Sequence, residues 1–202
     1  MVNYQIELEK KILDSPRGSK LLLHSCCAPC SSYVLKYLSS IFEICVYYYN
    51  PNITDKEEYR KRVEEQKEFI ANFSKKENPK YPITFKEGAY QTEDFFAIAK
   101  GYEECKEGGE RCFRCYEMRL KETARLAKEE DFDFFATTLT ISPLKNAQKL
   151  NELGYELERK IGIQYLPSDF KKKNGYKKSI ELSKEYGLYR QDYCGCCYSK
   201  VK

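Results

Sequence analysis

The residues of this sequence most clearly arranged for chemistry are its cysteines. Three of them lie in the stretch His24-Ser-Cys-Cys-Ala-Pro-Cys30, directly after the apolar run Leu21–Leu23. The apolar run predicts a short buried strand, the proline and small residues predict a loop, and apolar residues at helical spacing follow. Such strand-to-helix turns hold the ligand sites of α/β folds. Cys26, Cys27 and Cys30 therefore predict metal or redox chemistry, with packing as small apolar side chains as the alternative.

Two further groups of thiols stand far along the chain. Cys112 and Cys115 are spaced i, i+3 at the start of a predicted helix that runs to about Glu129, so they share one face of its first turn. A helix N-terminus also favours the thiolate form. In the tail, Cys194-Gly-Cys196 could cycle between a dithiol and a strained disulfide, which is the labile kind. The alternative for this pair is a role as two more metal ligands.

Composition narrows the classes of protein that need considering. The chain has 202 residues and ten cysteines, and its N-terminal residues MVNYQIELEKK do not form the apolar core of a signal peptide. No stretch approaches the roughly 20 apolar residues that a membrane span needs. We therefore expect a cytoplasmic protein with no membrane partner. Clustered thiols in that compartment are typical of metal-binding or catalytic sites rather than of a disulfide framework.

Positive charge is concentrated near the C-terminus. The net charge is +4, and residues 170–190 contribute seven Lys or Arg against two Glu, or +5. This pattern predicts contact with a polyanion, with a solvated helix face as the alternative. The lysines expected to contact phosphates are Lys171, Lys172, Lys173, Lys177 and Lys178.

Strand and helix signals alternate along the whole chain. Strands are predicted at about 20–24, 42–49, 83–85, 132–138 and 163–166. Helices are predicted from a Thr54 capping box with Glu57, at 92–100, at 112–129, from Ser142-Pro143, and at 176–186. Cys45 falls within the second predicted strand and is assigned to the core because its neighbours are apolar. Cys105 falls in a Gly-rich loop and receives no role.

This alternation predicts one α/β domain over residues 1–202. We expect a mostly parallel sheet of about five strands with helices on both faces, Rossmann-like or nucleotide-hydrolase-like. A basic helix within 170–190 and the cysteine-rich tail at 193–198 would return to the active site. Since loops after parallel strands gather at one edge, the first two thiol groups can meet there. Four thiolates bind either zinc or an iron–sulfur cluster, and spacing alone does not choose between them.

At this level of detail the chain resembles the epoxyqueuosine reductase family of the QueH type. The resemblance covers nearly the whole chain. Its motifs are His24-Ser-Cys-Cys-Ala-Pro-Cys30, Tyr49-Asn-Pro-Asn52, Cys112-x-x-Cys115 with Arg119-Leu120, Thr137-Thr-Leu139 before Ser142-Pro143, Asp169-Phe-Lys-Lys-Lys-Asn-Gly-Tyr176, Leu188-Tyr-Arg-Gln191, and Tyr193-Cys-Gly-Cys196. A lone CxxC would be weak, whereas this ordered set is specific.

The resemblance implies an activity and a set of cofactors. It implies reduction of epoxyqueuosine to queuosine in the tRNA anticodon, the last step of queuosine synthesis, with tRNA and an unidentified electron donor as partners. It also implies a [4Fe–4S] cluster and a redox-active cysteine pair. The implied cluster ligands are Cys26, Cys27, Cys112 and Cys115, and the implied redox pair is Cys194 and Cys196.

The chemistry of the implied reaction requires a second redox element. Deoxygenation of an epoxide takes two electrons, while a cluster normally passes one at a time. The Cys194/Cys196 dithiol or a second iron would meet this need. Asp169 is a candidate to supply a proton or bind such a metal, and a structural carboxylate capping the next turn is its competing interpretation. His24 is a candidate to orient the site, against a buried histidine at a strand end.

Two other classes of function fit part of the pattern. A zinc-thiolate RNA-binding module without redox chemistry explains the thiol pairs and the basic segment, but not Cys-Gly-Cys in the tail. A thiol–disulfide oxidoreductase that uses a CxxC pair alone leaves five clustered cysteines without a role. Iron, sulfide and visible absorbance after anaerobic purification separate these classes from the iron–sulfur enzyme.

Overall fold

The fold is organised around a parallel sheet of five strands. The computed structural model describes residues 2–199. The strands are β1 (Lys20–His24), β2 (Glu43–Tyr48), β3 (Ile83–Glu87), β4 (Phe134–Thr137) and β5 (Gln164–Tyr165). Their order across the sheet is β3-β2-β1-β4-β5, and each neighbouring pair is parallel. His24 lies level with Tyr47 and Thr137, so the three central strands end together at one edge.

Within the described residues, seven α-helices connect the strands and cover the sheet. They are α1 (Tyr4–Asp14), α2 (Ala28–Leu38), α3 (Lys56–Glu77), α4 (Thr92–Ala99), α5 (Glu110–Glu129), α6 (Ala147–Leu157) and α7 (Gly175–Glu185). Between β1 and α2 the connection is only residues 25–27. Cys26 and Cys27 therefore lie in a tight turn at the carboxyl edge of the central strand.

Alternate residues of β1 enter two separate cores. Leu21 and Leu23 pack with apolar side chains of α1, α2, α3 and α7, while Leu22 packs with those of α5 and α6. Because both faces of the sheet are covered, its strands are near-continuous apolar runs rather than alternating ones. The predicted α/β class, with helices on both faces and a cysteine-rich C-terminal region, is confirmed.

The predicted cap of α3 is wrong by one residue. Asp55, not Thr54, is the N-cap, and its Oδ1 accepts hydrogen bonds from Glu57 N at 3.0 Å and Glu58 N at 3.2 Å. A carboxylate satisfies two free N–H groups and also interacts favourably with the positive end of the helix dipole. The Thr54–Glu57 capping box is therefore not formed.

The helix predicted from Ser142-Pro143 begins later. A 3-10 turn at Thr138–Ile141 follows β4, and α6 starts only at Ala147, capped by Asn146. The Ser142 hydroxyl accepts from Leu144 N at 3.3 Å, which closes a local turn instead of starting a helix. Residues 142–146 are thus an irregular segment. The basic helix is likewise shorter than the segment 170–190, since α7 spans Gly175–Glu185.

No helix within residues 2–199 combines the length and the apolar character that crossing a lipid bilayer requires.

Candidate active site

The turn after β1 brings three thiols together. The Sγ atoms of Cys26, Cys27 and Cys30 all lie within 4.8 Å of one another, and those of Cys26 and Cys27 are 3.8 Å apart. Cys27 is the N-cap residue of α2, with Pro29 in its first turn, so Cys30 follows about one turn later on the same side. Among residues 2–199, these three cysteines form the group of Cys, His, Asp or Glu side chains whose ligand atoms are close enough together to hold a metal ion.

The trio opens onto a cleft of about 170 Å³. Its lining includes Cys194 from the tail and the cations Arg62, Arg119 and Lys145. Among the described residues, Cys112 and Cys115 are buried and do not line this cleft. Cys112 belongs to the apolar cluster that Cys26 contacts, and Cys115 to the one that holds Cys196. Cys115, Cys26 and Cys194 all act on the charge of Arg119, so one cysteine of each thiol group lies near this side chain.

The tail reaches the cleft because α3 holds its backbone. The Arg62 guanidinium donates from Nη1 to the Cys194 carbonyl at 3.3 Å and from Nη2 to the Tyr193 carbonyl at 3.4 Å. The same guanidinium pairs with Glu58 at 2.6 Å, which fixes its orientation. Two donors of one buried side chain thus hold Tyr193 and Cys194, which belong to no strand or helix.

Gly195 makes the turn between the two tail cysteines. Its φ is +106°, in the left-handed region, and an added Cβ would lie 2.8 Å from Ile53 Cγ1. Its carbonyl accepts a hydrogen bond from Thr54 N at 3.2 Å. A residue with a side chain would be strained in its backbone and would clash with Ile53.

Cys194 and Cys196 form a close but unbonded pair. Their Sγ atoms are 3.6 Å apart, and both cysteines are free. The contact between the thiols lowers the pKa of Cys194 well below its usual value and raises the pKa of Cys196. Lys145 also lowers the pKa of Cys194. The closeness of the two sulfurs and the Lys145 ammonium therefore favour the thiolate form of Cys194 over that of Cys196.

Arg119 lies between the three thiol groups. Burial lowers its pKa, but Cys115, Cys26 and Cys194 raise it more, so the net shift is upward and the side chain stays charged. It is held by its own contacts: Nε donates to the Cys115 carbonyl at 3.3 Å, and Nη1 approaches Asn50 Oδ1 at 3.5 Å. A fixed, buried cation at this position stabilises negative charge on the surrounding sulfurs.

Lys145 supplies a second cation, with a side chain that is 10% exposed, from the irregular segment after the 3-10 turn. Burial lowers the pKa of its ammonium, and Cys194, Tyr116 and Glu107 raise it more, so the net shift is upward. Its Nζ pairs with Glu107 at 3.0 Å. Because residues 142–146 do not form a helix, Lys145 can extend from them into the cleft.

Within the trio, the thiolate is held by Cys26. Hydrogen bonds with Cys27 and then Cys30 lower the pKa of Cys26 well below its usual value. The contact with Cys26 is in turn the largest cause that raises the pKa of Cys27 and of Cys30. In both thiol groups at the cleft, contact with a neighbouring thiol therefore favours the thiolate form of one cysteine, Cys26 or Cys194.

His24 ends the strand that leads into the turn carrying the trio, and it does not line the cleft. It is fully buried, with Nε2 at 3.2 Å from the Tyr49 carbonyl and Nδ1 at 2.9 Å from Thr137 Oγ1. Since a carbonyl only accepts, Nε2 carries the proton and Nδ1 accepts from Thr137. Burial and Arg119 lower the pKa of His24 to about 3, so the ring is neutral and joins the ends of three strands.

This donor set fits a metal–sulfur centre. Clustered thiols with a thiolate already stabilised, backed by buried cations that offset negative charge, suit both a thiolate-bound metal ion and an iron–sulfur cluster.

Comparison with known proteins assigns the family. The family model described as "Epoxyqueuosine reductase QueH" matches residues 21–202, which is most of the chain. This chain belongs to the QueH family. The expectation drawn from the sequence motifs is thereby confirmed.

Curated relatives agree with this assignment over most of their own length. A protein of Staphylococcus epidermidis named epoxyqueuosine reductase QueH is 43% identical over 206 residues, covering 100% of this chain and 86% of the relative. The protein of the same name from Staphylococcus aureus is 41% identical, covering 100% and 85%. The one from Streptococcus pyogenes is 45% identical over 179 residues, covering 89% and 69%.

Asp169, a predicted site residue of this QueH chain, is not brought to the cysteines. It lines a separate depression with Val2, Asn3 and Tyr4, and its Oδ1 pairs with Lys171 Nζ at 2.8 Å. The neighbouring Ser168 is tied back to Asn151 of α6, whose side chain bonds both the N–H and the carbonyl of Ser168. These bonds fix the backbone before Asp169, whose carboxylate lines the separate depression and not the cleft.

The predicted basic patch is divided between paired and unpaired side chains. Lys171 pairs with Asp169, Lys173 pairs with Glu9, and Lys178 lies over the Tyr33 ring at 5.5 Å. Lys172 and Lys177 are exposed. Contact with phosphates remains a prediction for this segment, with those two lysines as its strongest members.

The site contains buried cations that the sequence did not mark as functional. Arg119 stood inside a recognised motif, and that was the only available signal. Arg62 lies four residues after Glu58, a spacing that is typical of an exposed ion pair on a helix surface. In the structure it is buried and holds the tail instead. Nothing in the sequence indicated that Lys145 reaches the cleft, because its segment was predicted to be helical.

Proposed function

We propose that this QueH chain reduces epoxyqueuosine to queuosine at the anticodon of tRNA. The observation that carries the proposal is the gathering of the trio, the Cys194/Cys196 pair and buried cations at one cleft, in a chain whose relatives bear the name epoxyqueuosine reductase. The alternative, a zinc-thiolate RNA-binding module, leaves the polarised pair without a role.

The dithiol balances the reaction. Removal of the epoxide oxygen takes two electrons and two protons, forms a carbon–carbon double bond and releases water. The Cys194 thiolate and the Cys196 thiol supply both electrons and one proton when they form one disulfide, and water supplies the second proton. The separation of 3.6 Å between the Sγ atoms must then close to the disulfide bond length of about 2 Å, a small movement of two adjacent side chains. An external electron donor restores the dithiol.

We also propose that Cys26, Cys27, Cys112 and Cys115 hold a [4Fe–4S] cluster, which would supply one-electron transfer next to the substrate. Support comes from their convergence and from Arg119, whose charge offsets that of the thiolates. Cys30 is the first substitute ligand, because its Sγ lies within the trio. A second iron remains part of the proposal, without an assigned ligand.

The cations have separate tasks. The Lys145 ammonium keeps Cys194 in the thiolate form, and its ion pair with Glu107 orients it toward the sulfur. Arg62 keeps the pair at the cleft through two backbone carbonyls. His24 keeps the trio's turn in place through Tyr49 and Thr137. A cytoplasmic location completes the proposal, since these thiols must be kept reduced.

The deciding experiment is conversion under anaerobic conditions. The purified protein is incubated with tRNA that contains epoxyqueuosine and with dithionite, and the digested nucleosides are analysed by mass spectrometry. We expect queuosine to appear, and the protein to be brown with iron and sulfide. A colourless, zinc-loaded protein that binds the tRNA and leaves the epoxide intact would establish the alternative.

A further inference from the structure

The mouth of the cleft carries exposed apolar and aromatic groups. Six large apolar side chains are exposed within residues 2–199, and two of them, Leu144 and Tyr176, line this cleft, with exposed fractions of 68% and 37%. Arg190 lines it as well and is exposed. Tyr176 and Arg190 belong to two of the sequence motifs, yet none of the roles assigned above uses them.

Their positions are fixed by the fold. An added Cβ on Gly175 would lie 1.8 Å from the Phe170 carbonyl oxygen and 2.6 Å from Tyr33 Cε1, so only glycine lets α7 begin this close to α2. Tyr176 follows it directly. The Arg190 Cζ lies 5.9 Å from the centre of the Tyr176 ring, and its Nη1 donates to Ser183 Oγ at 3.1 Å. The ring and the guanidinium therefore form one prepared surface.

The size of the cleft limits what can enter it. At about 170 Å³ it is smaller than the roughly 300 Å³ at which pockets for whole drug-sized ligands begin. The part of a modified nucleoside that reacts can reach the sulfurs, while the neighbouring nucleotides of the strand must stay at the mouth. Exposed Lys172 and Lys177 lie close by in the chain and favour a polyanionic strand there.

We infer that Tyr176 and Arg190 form a stacking platform for an unpaired base next to the nucleotide that is reduced. Proteins recognise single-stranded RNA by stacking splayed bases on aromatic rings and arginine planes. The pairing of a ring with a guanidinium supplies both surfaces at one point. This inference rests on the proposed function only for the identity of the RNA, and it assigns the binding of the flanking base to named residues.

The test uses RNA hairpins of an anticodon arm that carry 2-aminopurine on the 5′ or the 3′ side of the wobble position. Stacking on Tyr176 is expected to quench the fluorescence of one of these probes. Tyr176→Ala should abolish the quenching and weaken binding by about 5- to 150-fold, the usual loss for one stacked base. Tyr176→Phe should keep both, because it keeps the ring. Arg190→Ala should weaken binding less.

Phe96→Ala is the matched control, since Phe96 on α4 is similarly exposed, at 44%, and does not line the cleft. Salt separates stacking from charge. The loss caused by Tyr176→Ala should persist as salt rises, whereas the loss caused by neutralising Lys172 and Lys177 should shrink, because it reflects counterion release. With epoxyqueuosine RNA, Tyr176→Ala should raise KM and leave kcat unchanged.

Wild-type affinity and unchanged fluorescence in Tyr176→Ala would overturn the inference, as would a change in kcat alone. Its failure is distinguishable from that of the proposed function. If epoxyqueuosine is converted and Tyr176 affects neither binding nor KM, only the stacking platform is contradicted. If the quenching depends on Tyr176 but the protein never reduces the epoxide, only the proposed activity is contradicted.

Discussion

Two regions of this molecule present closely spaced thiols to one cleft, and they are held in opposite ways. Cys26 and Cys27 stand on the turn between the central strand and α2, and Cys30 stands in the first turn of α2, so the regular hydrogen bonds of the strand and of the helix hold the backbone on both sides. Cys194 and Cys196 stand on a segment without strand or α-helix, held mainly by side chains and a backbone bond from the α3 region. The first arrangement suits permanent ligation, and the second suits sulfurs that must move to form a bond.

The largest expected effect is on the fixed side of this comparison. Cys112→Ala removes a proposed cluster ligand, so we expect loss of iron, sulfide and visible absorbance, and no detectable conversion. Cys45→Ala is the control, because Cys45 lies in a separate depression with Lys20 and Glu43. Anaerobic metal and sulfide analysis is the measurement. Full iron content in Cys112→Ala would exclude Cys112 and move the assignment to Cys30.

In the Cys194/Cys196 pair, Cys196→Ser should abolish conversion without loss of the cluster or of tRNA binding. It removes one half of the dithiol but no proposed cluster ligand, so the protein should stay brown and still bind tRNA. Thiol counting after denaturation should show fewer free thiols in oxidised than in reduced wild type, and no such difference in the variant. Full turnover by Cys196→Ser would contradict the dithiol role and require another two-electron relay.

The anchor of the tail can be tested without altering any sulfur. Arg62→Gln should release the backbone at Tyr193 and Cys194, lower conversion by about 10- to 100-fold, as is usual for residues that orient a site, and leave the iron content unchanged. Faster alkylation of Cys194 by iodoacetamide should accompany this loss.

Arg60→Gln is the control for the anchor, since Arg60 lies on the same helix in an exposed pair with Glu57. Unchanged alkylation of Cys194 in Arg62→Gln would mean that the tail is held by other contacts, such as the bond from Thr54 N to the Gly195 carbonyl.

The smallest expected effect concerns the histidine behind the fixed turn. The chain has a single histidine, so each of its two ring C–H groups gives one unambiguous NMR signal. The folded-state pKa of His24 is about 3, below the ordinary 6.5, so the unfolded chain binds more protons between these values. Its contribution to stability is full above pH 6.5 and declines as the pH falls, by about 2 kcal/mol between pH 7 and pH 5.

Urea unfolding of the metal-free protein at the two pH values measures this decline, and His24→Asn should reduce it. A ring signal that titrates near pH 6.5 in the folded protein would show that the imidazole is exposed to protons, contrary to its two hydrogen bonds.

The sequence predicted the part of the molecule that local patterns determine. The bounds of β1 were correct, because three leucines and a histidine between turn signals form a strand buried on both faces. The clustering of Cys26, Cys27 and Cys30 followed from their spacing alone. The late start of α6 was missed, since the Thr137 side chain caps a 3-10 turn through Leu139 N, and Ser142 then bonds locally.

What sequence could not provide were contacts between distant segments. Arg62 and Cys194 are 132 positions apart, so nothing in either neighbourhood indicates that one holds the other. Asp169 was predicted at the site because it adjoins the basic segment. In the structure, Asn151 bonds the backbone of the preceding residue, Ser168, and Asp169 lies outside the cleft. The sulfurs were visible in the sequence, and the cations that stabilise their charge became visible only with the tertiary fold.

The central position of β1 also sets how quickly each group of thiols can be reached from outside. Central strands of a sheet open only with the whole fold, whereas segments held by a few hydrogen bonds open with little free energy. Amide protons of Leu21–Leu23 should therefore exchange at the global limit, and a chelator should remove metal from the neighbouring turn at a rate that follows unfolding. The segment of Cys194 and Cys196, held through a few bonds to α3 and Thr54, should open many times within one such event, which would let an electron donor reach both sulfurs while the turn stays closed.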